Sequence, residues 1–363
     1  MSQNERVQEV CEQQICRDSK QCKKTSIGGQ ALIEGIMMRG PRRTMMAVRH
    51  LDGHIVTEEI HQKPADSRPK ILRLPIIRGV IGYIDSMIFG YKALMRSADL
   101  SGFAEMEEES KKKETVSQEL PQADELPAEQ KAQEETKEET KEEAKKENNA
   151  LLSVIMVIGT VLGVALALFL FLWLPAWIFD LVKGLVSADI TRFKGLFENV
   201  LKILILVGYM AAVSLMMDIR RTFMYHGAEH KTIACYEAGL ELTVENCRTQ
   251  RRFHPRCGTS FLILMLLVSI LTSTLLILCF PALAHHRLLW VAIKLLLIPL
   301  VCGLGYELIK FCGRHDNLFT RIISAPGMWL QRLTTKEPTD DMLEIAICAM
   351  TAVIPENKEE DQW

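Results

Sequence analysis

The stretch HGAEHK, residues 226–231, places two imidazoles and a carboxylate at His226, Glu229 and His230. On an α-helix, positions i, i+3 and i+4 share one face, so the three side chains converge on one side. Gly227 and Ala228 keep the intervening positions small. The order H-x-x-E-H inverts the familiar zinc-hydrolase motif, in which two neutral imidazoles bind the ion and the glutamate activates water. The competing reading is that interfacial histidines bond to headgroups or backbone, and three residues do not choose between the two.

A third ligand would strengthen the metal reading. RRFHPRCGTSF, residues 251–261, supplies His254 and Cys257. Three protein ligands with an open position is the catalytic zinc arrangement, so zinc is the expected divalent cofactor, with Cys257 or His254 completing the set. Pro255 and Gly258 would equally shape a turn around a small buried thiol. Lys231 and Arg256 are candidates to stabilise developing negative charge, with Glu229 as general base. Glu307, in CGLGYELIKFCGR, ends an apolar segment where unpaired charge is costly. It is a candidate ligand or acid/base group, with pairing to Arg256 or Lys231 the preferred reading. IGGQALIEGIMMRGP, residues 27–41, carries Glu34 and Arg39 among four glycines. Without a G-K-[ST] ending a phosphate cradle is weakly supported. The glycines read as tight turns, and Glu34 and Arg39 as candidate contributors to a site formed with the histidine helix.

Such side chains need rigid stems, and apolar segments supply them. Residues 150–173, 200–217, 259–280 and 288–309 approach or exceed the ~20 residues that cross ~30 Å of hydrocarbon. Lys and Arg of short loops collect on the cytoplasmic side. Between the second and third spans lie Arg220, Arg221, Lys231, Arg248, Arg251, Arg252 and Arg256, against Arg287 alone in 280–287 and Lys183, Arg192 and Lys194 in 175–199. Both termini and the histidine segment are therefore expected in the cytosol, and the histidine helix is expected to continue out of the second span. The polar amino terminus shows no cleavable signal.

Asp52-Gly53, between apolar runs of residues 44–60, signals a β-hairpin. Residues 75–98 read as an amphipathic helix at the membrane surface or against the bundle, with a fifth crossing as the alternative. Residues 104–149 hold 16 acidic and 8 basic residues, so this segment carries −8 and the rest about +6 within a net −2; it cannot bury enough surface to order itself. Thr339 is the expected N-cap of a helix reaching about residue 353, with Asp340 and Asp341 in its first turn. The ten cysteines are too dispersed for a disulfide framework, and Cys11, Cys16 and Cys22 form a loose cluster with no metal expected. The fold class expected is a mainly α integral membrane protein of about four transmembrane helices with a small cytosolic α+β module that includes the hairpin. Its segments are a polar tail (1–25), hairpin and amphipathic helix (26–103), acidic linker (104–149), two spans (150–218), motif segment (219–258), two further spans (259–312), and C-terminal helices with a tail (313–363).

Six segments in one order, GGQALIEGIMMRGP, HGAEHKTIACYEAG, LTVENC, HPRCGTSF, GLGYELIK and APGMWLQRLTTKEPTDDMLEIAI, resemble the YqhQ-like family of bacterial multi-pass membrane proteins of unknown function. The resemblance implies a metal-dependent enzyme without an established substrate, and its two histidine motifs fall on His226, Glu229, His230, His254 and Cys257.

The leading expectation is a cell-membrane metalloenzyme, a hydrolase, with its site at the cytosolic boundary. The partners expected are membrane lipids and an amphipathic or peptide substrate, with a homo-oligomer left open and nucleic acid excluded. The alternative is a non-enzymatic scaffold or assembly factor with a structural metal. A transporter ranks third, because four spans without an inverted repeat argue against it.

Overall fold

In the computed structural model, residues 24–61, 69–102, 158–186, 190–315, 317–357 and 360–361 are described. The acidic linker, Cys11, Cys16, Cys22, most of the polar tail and the start of the first expected span lie outside them.

The expected hairpin is half of a larger sheet. Strands β1 (Gly28–Leu32), β2 (Gly35–Arg39), β3 (Thr44–Arg49) and β4 (Ile55–Glu59) form an antiparallel meander in chain order. The glycine-rich segment is thus a strand pair, with only Ile33-Glu34 making the turn. Register sets Ile36 against Ala47 and Met37 against Met46. Because side chains alternate across a strand, Ile36, Met38 and Ala47 join one core while Leu32, Met37, Met46 and Val48 join another. Both faces are covered, which explains why β2 is apolar at successive positions rather than alternating.

One face receives α1 (Ile77–Leu100), which packs Ala93, Phe89 and Leu94 on it. This is the expected amphipathic helix. At its start Gly79 abuts Gly303 and Tyr306; farther along, the Ser97 hydroxyl accepts from the Ile33 amide at 3.2 Å. It links bundle to sheet and is not among the helices long and apolar enough to span a bilayer.

Four helices are, among the described residues: α2 (Ile158–Leu185), Thr191–Val213 containing α3 (Lys194–Val213), α6 (Gly258–Cys279), and Leu288–Arg314 within α7 (Arg287–Arg314). Against expectation the second begins before residue 200. Lys194, Glu198 and Lys202, which make that stretch look polar, sit at i, i+4 and i+8 and turn inward together. There the buried Glu198 pairs with Lys294 and accepts from Trp290 Nε1 at 3.0 Å. A charge inside an apolar bundle is tolerated when paired in this way.

The histidine helix is not a continuation of the second span. That span stops at Val213, Met216 is extended, and α4 (Met217–Glu237) starts afresh. Next come α5 (Val244–Arg248), capped by Thr243, and, beyond α7, α8 (Leu318–Thr334) with an Asn317 capping box. Finally α9 (Asp340–Val353) begins after Thr339 as expected, although that side chain makes no capping bond. Against the second face of the sheet α9 and α4 bury Met342, Ile345, Ala346, Tyr225 and Ala228.

Candidate metal centre

The core side of α4 carries the candidate ligands. Its sequence is too polar for a core helix by pattern, yet Tyr225, Gly227 to Ile233 and Cys235 are all buried. Gly227 makes this fit: a Cβ there would collide with the Lys336 carbonyl, which lies on the helix as the Lys336 amide donates to Phe223 O at 2.8 Å.

His226 and His230 are neighbours one turn apart, with ring centroids 4.4 Å apart and nearly perpendicular. Each ring is fixed from behind. His226 Nδ1 donates to Thr334 O at 2.8 Å, an otherwise orphan carbonyl at the C-terminal end of α8. His230 Nδ1 donates to Arg252 O at 2.6 Å. Both Nε2 atoms are left for the site, the orientation that backbone acceptors select around metal-ligating histidines. Cys257, the N-cap residue of α6, brings Sγ to 3.1 Å from His226 Nε2. One ligand atom each from His226, His230 and Cys257 lies within 4.8 Å of the others.

Glu229 stands beside this trio. It is buried, and Oε2 has no hydrogen-bond partner among the described residues. Strand β1 closes over it: a Cβ on Gly29 would lie 2.9 Å from Glu229 Cδ, and the Gly29 amide donates to the carboxylate. Burial raises its pKa, and His226 and His230 only partly oppose that. Cys257 goes the other way: burial would push the thiol up, but His226 and His230 hold it well below its ordinary value. His226 is driven down by burial and, more strongly in sum, up by Cys257, Glu229 and the Thr334 carbonyl, reaching about 9. The Cys257–His226 contact thus favours the ionised thiol and the protonated imidazole, while burial disfavours ionisation of the neighbouring carboxyl group.

The remaining candidates go elsewhere. His254 lies outside the His226–His230–Cys257 group. Its Nε2 faces Glu237 at 3.4 Å and its ring centroid is 5.7 Å from that of His230. Burial lowers its pKa despite Glu237. Gln331 fixes its backbone, accepting from its amide at 2.8 Å and donating to its carbonyl at 2.7 Å. Arg256 pairs with Glu237, which also accepts from the Thr25 amide at 2.9 Å. Lys231 donates to Arg248 O at 2.8 Å and meets Glu337 at 2.9 Å. Glu307 pairs neither with Arg256 nor with Lys231 but with Arg78 of α1, at 2.7 and 2.5 Å. Glu34 occupies the β1–β2 turn at a φ of 51° and takes Arg221 and Tyr225 of α4 as partners. Arg39 is exposed at the end of β2.

Sequence reasoning missed Thr334, Gln331, Gly29 and Glu237. Two of these act through backbone groups, which leave no trace in residue type. Gln331 and Glu237 are polar residues at helix ends, indistinguishable by type from surface ones.

A family model described as "Protein of unknown function (DUF1385)" matches residues 74–356. The chain is also 31% identical over 326 residues to "Uncharacterized protein YqhQ" of Bacillus subtilis (strain 168), covering 88% of this chain and 89% of that one. No solved structure matches.

Proposed function

The chain belongs to the DUF1385 family, and from that premise and the geometry at α4 we propose that it is a membrane-embedded metal-dependent hydrolase. Its site lies where the spans meet the cytosol, and both termini lie on that side. One observation carries the reading: two imidazoles with Nδ1 tied to carbonyls, and a cysteine sulfur, present three ligand atoms to one point beside a buried Glu229 oxygen with no partner among the described residues.

The donor set fits a borderline divalent ion, since imidazole nitrogen and thiolate are zinc's preferred ligands. Zinc held by His226, His230 and Cys257 would supply Lewis acidity toward water and toward a carbonyl or phosphoryl oxygen. The chain's own contribution is orientation and proton transfer. Thr334 and Arg252 aim the imidazoles, and Glu229 Oε2 accepts the proton. Burial raises its pKa, the direction that makes a carboxylate a stronger base. Arg256 and Lys231 are engaged with Glu237 and Glu337, so stabilisation of developing charge falls to other donors. An amphipathic or peptide substrate suits a site flanked by lipid-facing helices.

Burial supports a second reading. His230, Glu229 and Cys257 are nearly sealed, and α4, α6, α8 and β1 all converge on them. An ion there would clamp a scaffold, with Glu229 as fourth ligand. Metal analysis and X-ray absorption on the detergent-purified chain separate the two. The enzyme reading expects about one zinc per chain, lost in His226→Ala and in Cys257→Ala, kept in Glu229→Gln, with a non-protein light atom in the fourth position. A closed shell altered by Glu229→Gln favours the clamp, and a metal-free wild type sinks both.

A further inference from the structure

We infer that the tip of the β3–β4 hairpin is a second, exchangeable site for a zinc-class divalent cation, held by His50, Asp52 and His54. One ligand atom of each lies within 4.8 Å of the others. His50 Nδ1 is 3.1 Å from Asp52 Oδ1, His54 Nδ1 contacts the same oxygen, and the rings stack at 5.0 Å between centroids. A hairpin turn does not by itself require two imidazoles to face one carboxylate.

Three devices hold the arrangement before any ion arrives. The turn is closed by His50 N donating to His54 O at 3.0 Å. The carboxylate is fixed by the His54 amide, which donates to Oδ1 at 3.2 Å. The end of α1 pins the first ring: Gly102 adopts a φ of 75°, and a Cβ there would lie 2.9 Å from Leu51 Cδ1 and 3.3 Å from His50 Nε2. Preorganised ligands lose less freedom on binding.

Two imidazole nitrogens and one carboxylate oxygen select zinc, nickel or copper over magnesium and calcium, which prefer all-oxygen shells. Asp52 and His54 are exposed, so water completes the shell and the ion exchanges freely. The site shares no residue with the α4 cluster and does not depend on the function proposed for it.

Histidine-selective NMR of the full chain in detergent, titrated with zinc chloride, reads both sites. The His50 and His54 signals, assigned through His50→Gln and His54→Gln, are expected to move together and saturate. Magnesium leaves them in place, and Asp52→Asn weakens the zinc response about tenfold or more, given that even outer-shell partners contribute ~10–100-fold. The unmoved His254 signal reports that Asp52→Asn keeps its fold. Zinc responses of His226 and His230 vanish in Cys257→Ala, whereas those of His50 and His54 persist there. Signals that ignore zinc, shift independently of each other, or respond undiminished in folded Asp52→Asn overturn the inference.

Discussion

At the residue scale, the proton inventory of the α4 cluster would govern how it takes up the proposed ion. His226 is raised to about 9 and so holds a proton near neutrality, and its contact with Cys257 keeps that thiol well below its ordinary value. A ligating imidazole must be neutral, so binding at pH 7 should expel about one proton per zinc. The sign follows from the direction of the shift: His226 holds its proton below about 9, so apparent affinity falls as pH drops beneath that value. In the metal-free Cys257→Ala chain the main raising influence is gone and burial pulls His226 down, so the His226 titration midpoint should fall from about 9. Histidine-selective NMR of the two metal-free chains measures that fall, and calorimetry of the wild type in buffers of different protonation enthalpy measures the proton release; an unmoved His226 midpoint in Cys257→Ala would refute the ion-pair assignment.

At the scale of the element, α4 is a helix whose polar residues are inside. What allows this is the absence of a side chain at 227, where the Lys336 strand of backbone rests. Gly227→Ala should cost about 1–3 kcal/mol, the usual penalty for overpacking, and displace the Thr334 carbonyl from His226. Gly28→Ala, at a position with nothing within 4 Å of the added Cβ, should be close to neutral. Thermal unfolding in detergent compares the pair, and similar midpoints for both variants would contradict the packing argument. Within the bundle, removing the Glu198 carboxylate would strand Lys294 in apolar surroundings, which typically costs about 3–5 kcal/mol. Loss of the α3–α7 association in Glu198→Ala, read by cross-linking, is the expected result.

For the whole molecule, the first and last described segments of the chain meet. The Ser26 amide donates to Asp361 Oδ1 at 2.9 Å, and the Thr25 hydroxyl contacts the same carboxylate, which is buried. In the proposed four-span topology these two segments would fall on the same side of the bilayer, as their contact requires. Terminal tags should therefore share protease protection in intact cells, while a site inserted between α6 and α7 is cleaved from outside. Tags on opposite faces would show the Ser26–Asp361 contact to be absent from the membrane-bound protein. The α1 helix respects the same constraint: Arg78 grips Glu307 at the bundle while its far end lies on the sheet.

Local patterns made much of this legible. Hydrocarbon length sets the spans, the Asp52-Gly53 signal sets one hairpin, and helical spacing alone aligns His226, Glu229 and His230. The β1–β2 pair stayed hidden because both faces of β2 are covered and its glycines mimic turns. The break at Met216 also left no mark, since hydropathy does not distinguish one helix from two. Choosing Cys257 over His254, and Arg78 as the partner of Glu307, required knowing which segments pack together. Sequence fixes what lies near along a helix or strand, because those periodicities are intrinsic to the backbone. Only tertiary packing decides which carbonyl reaches an imidazole, since that depends on contacts between residues up to 108 positions apart.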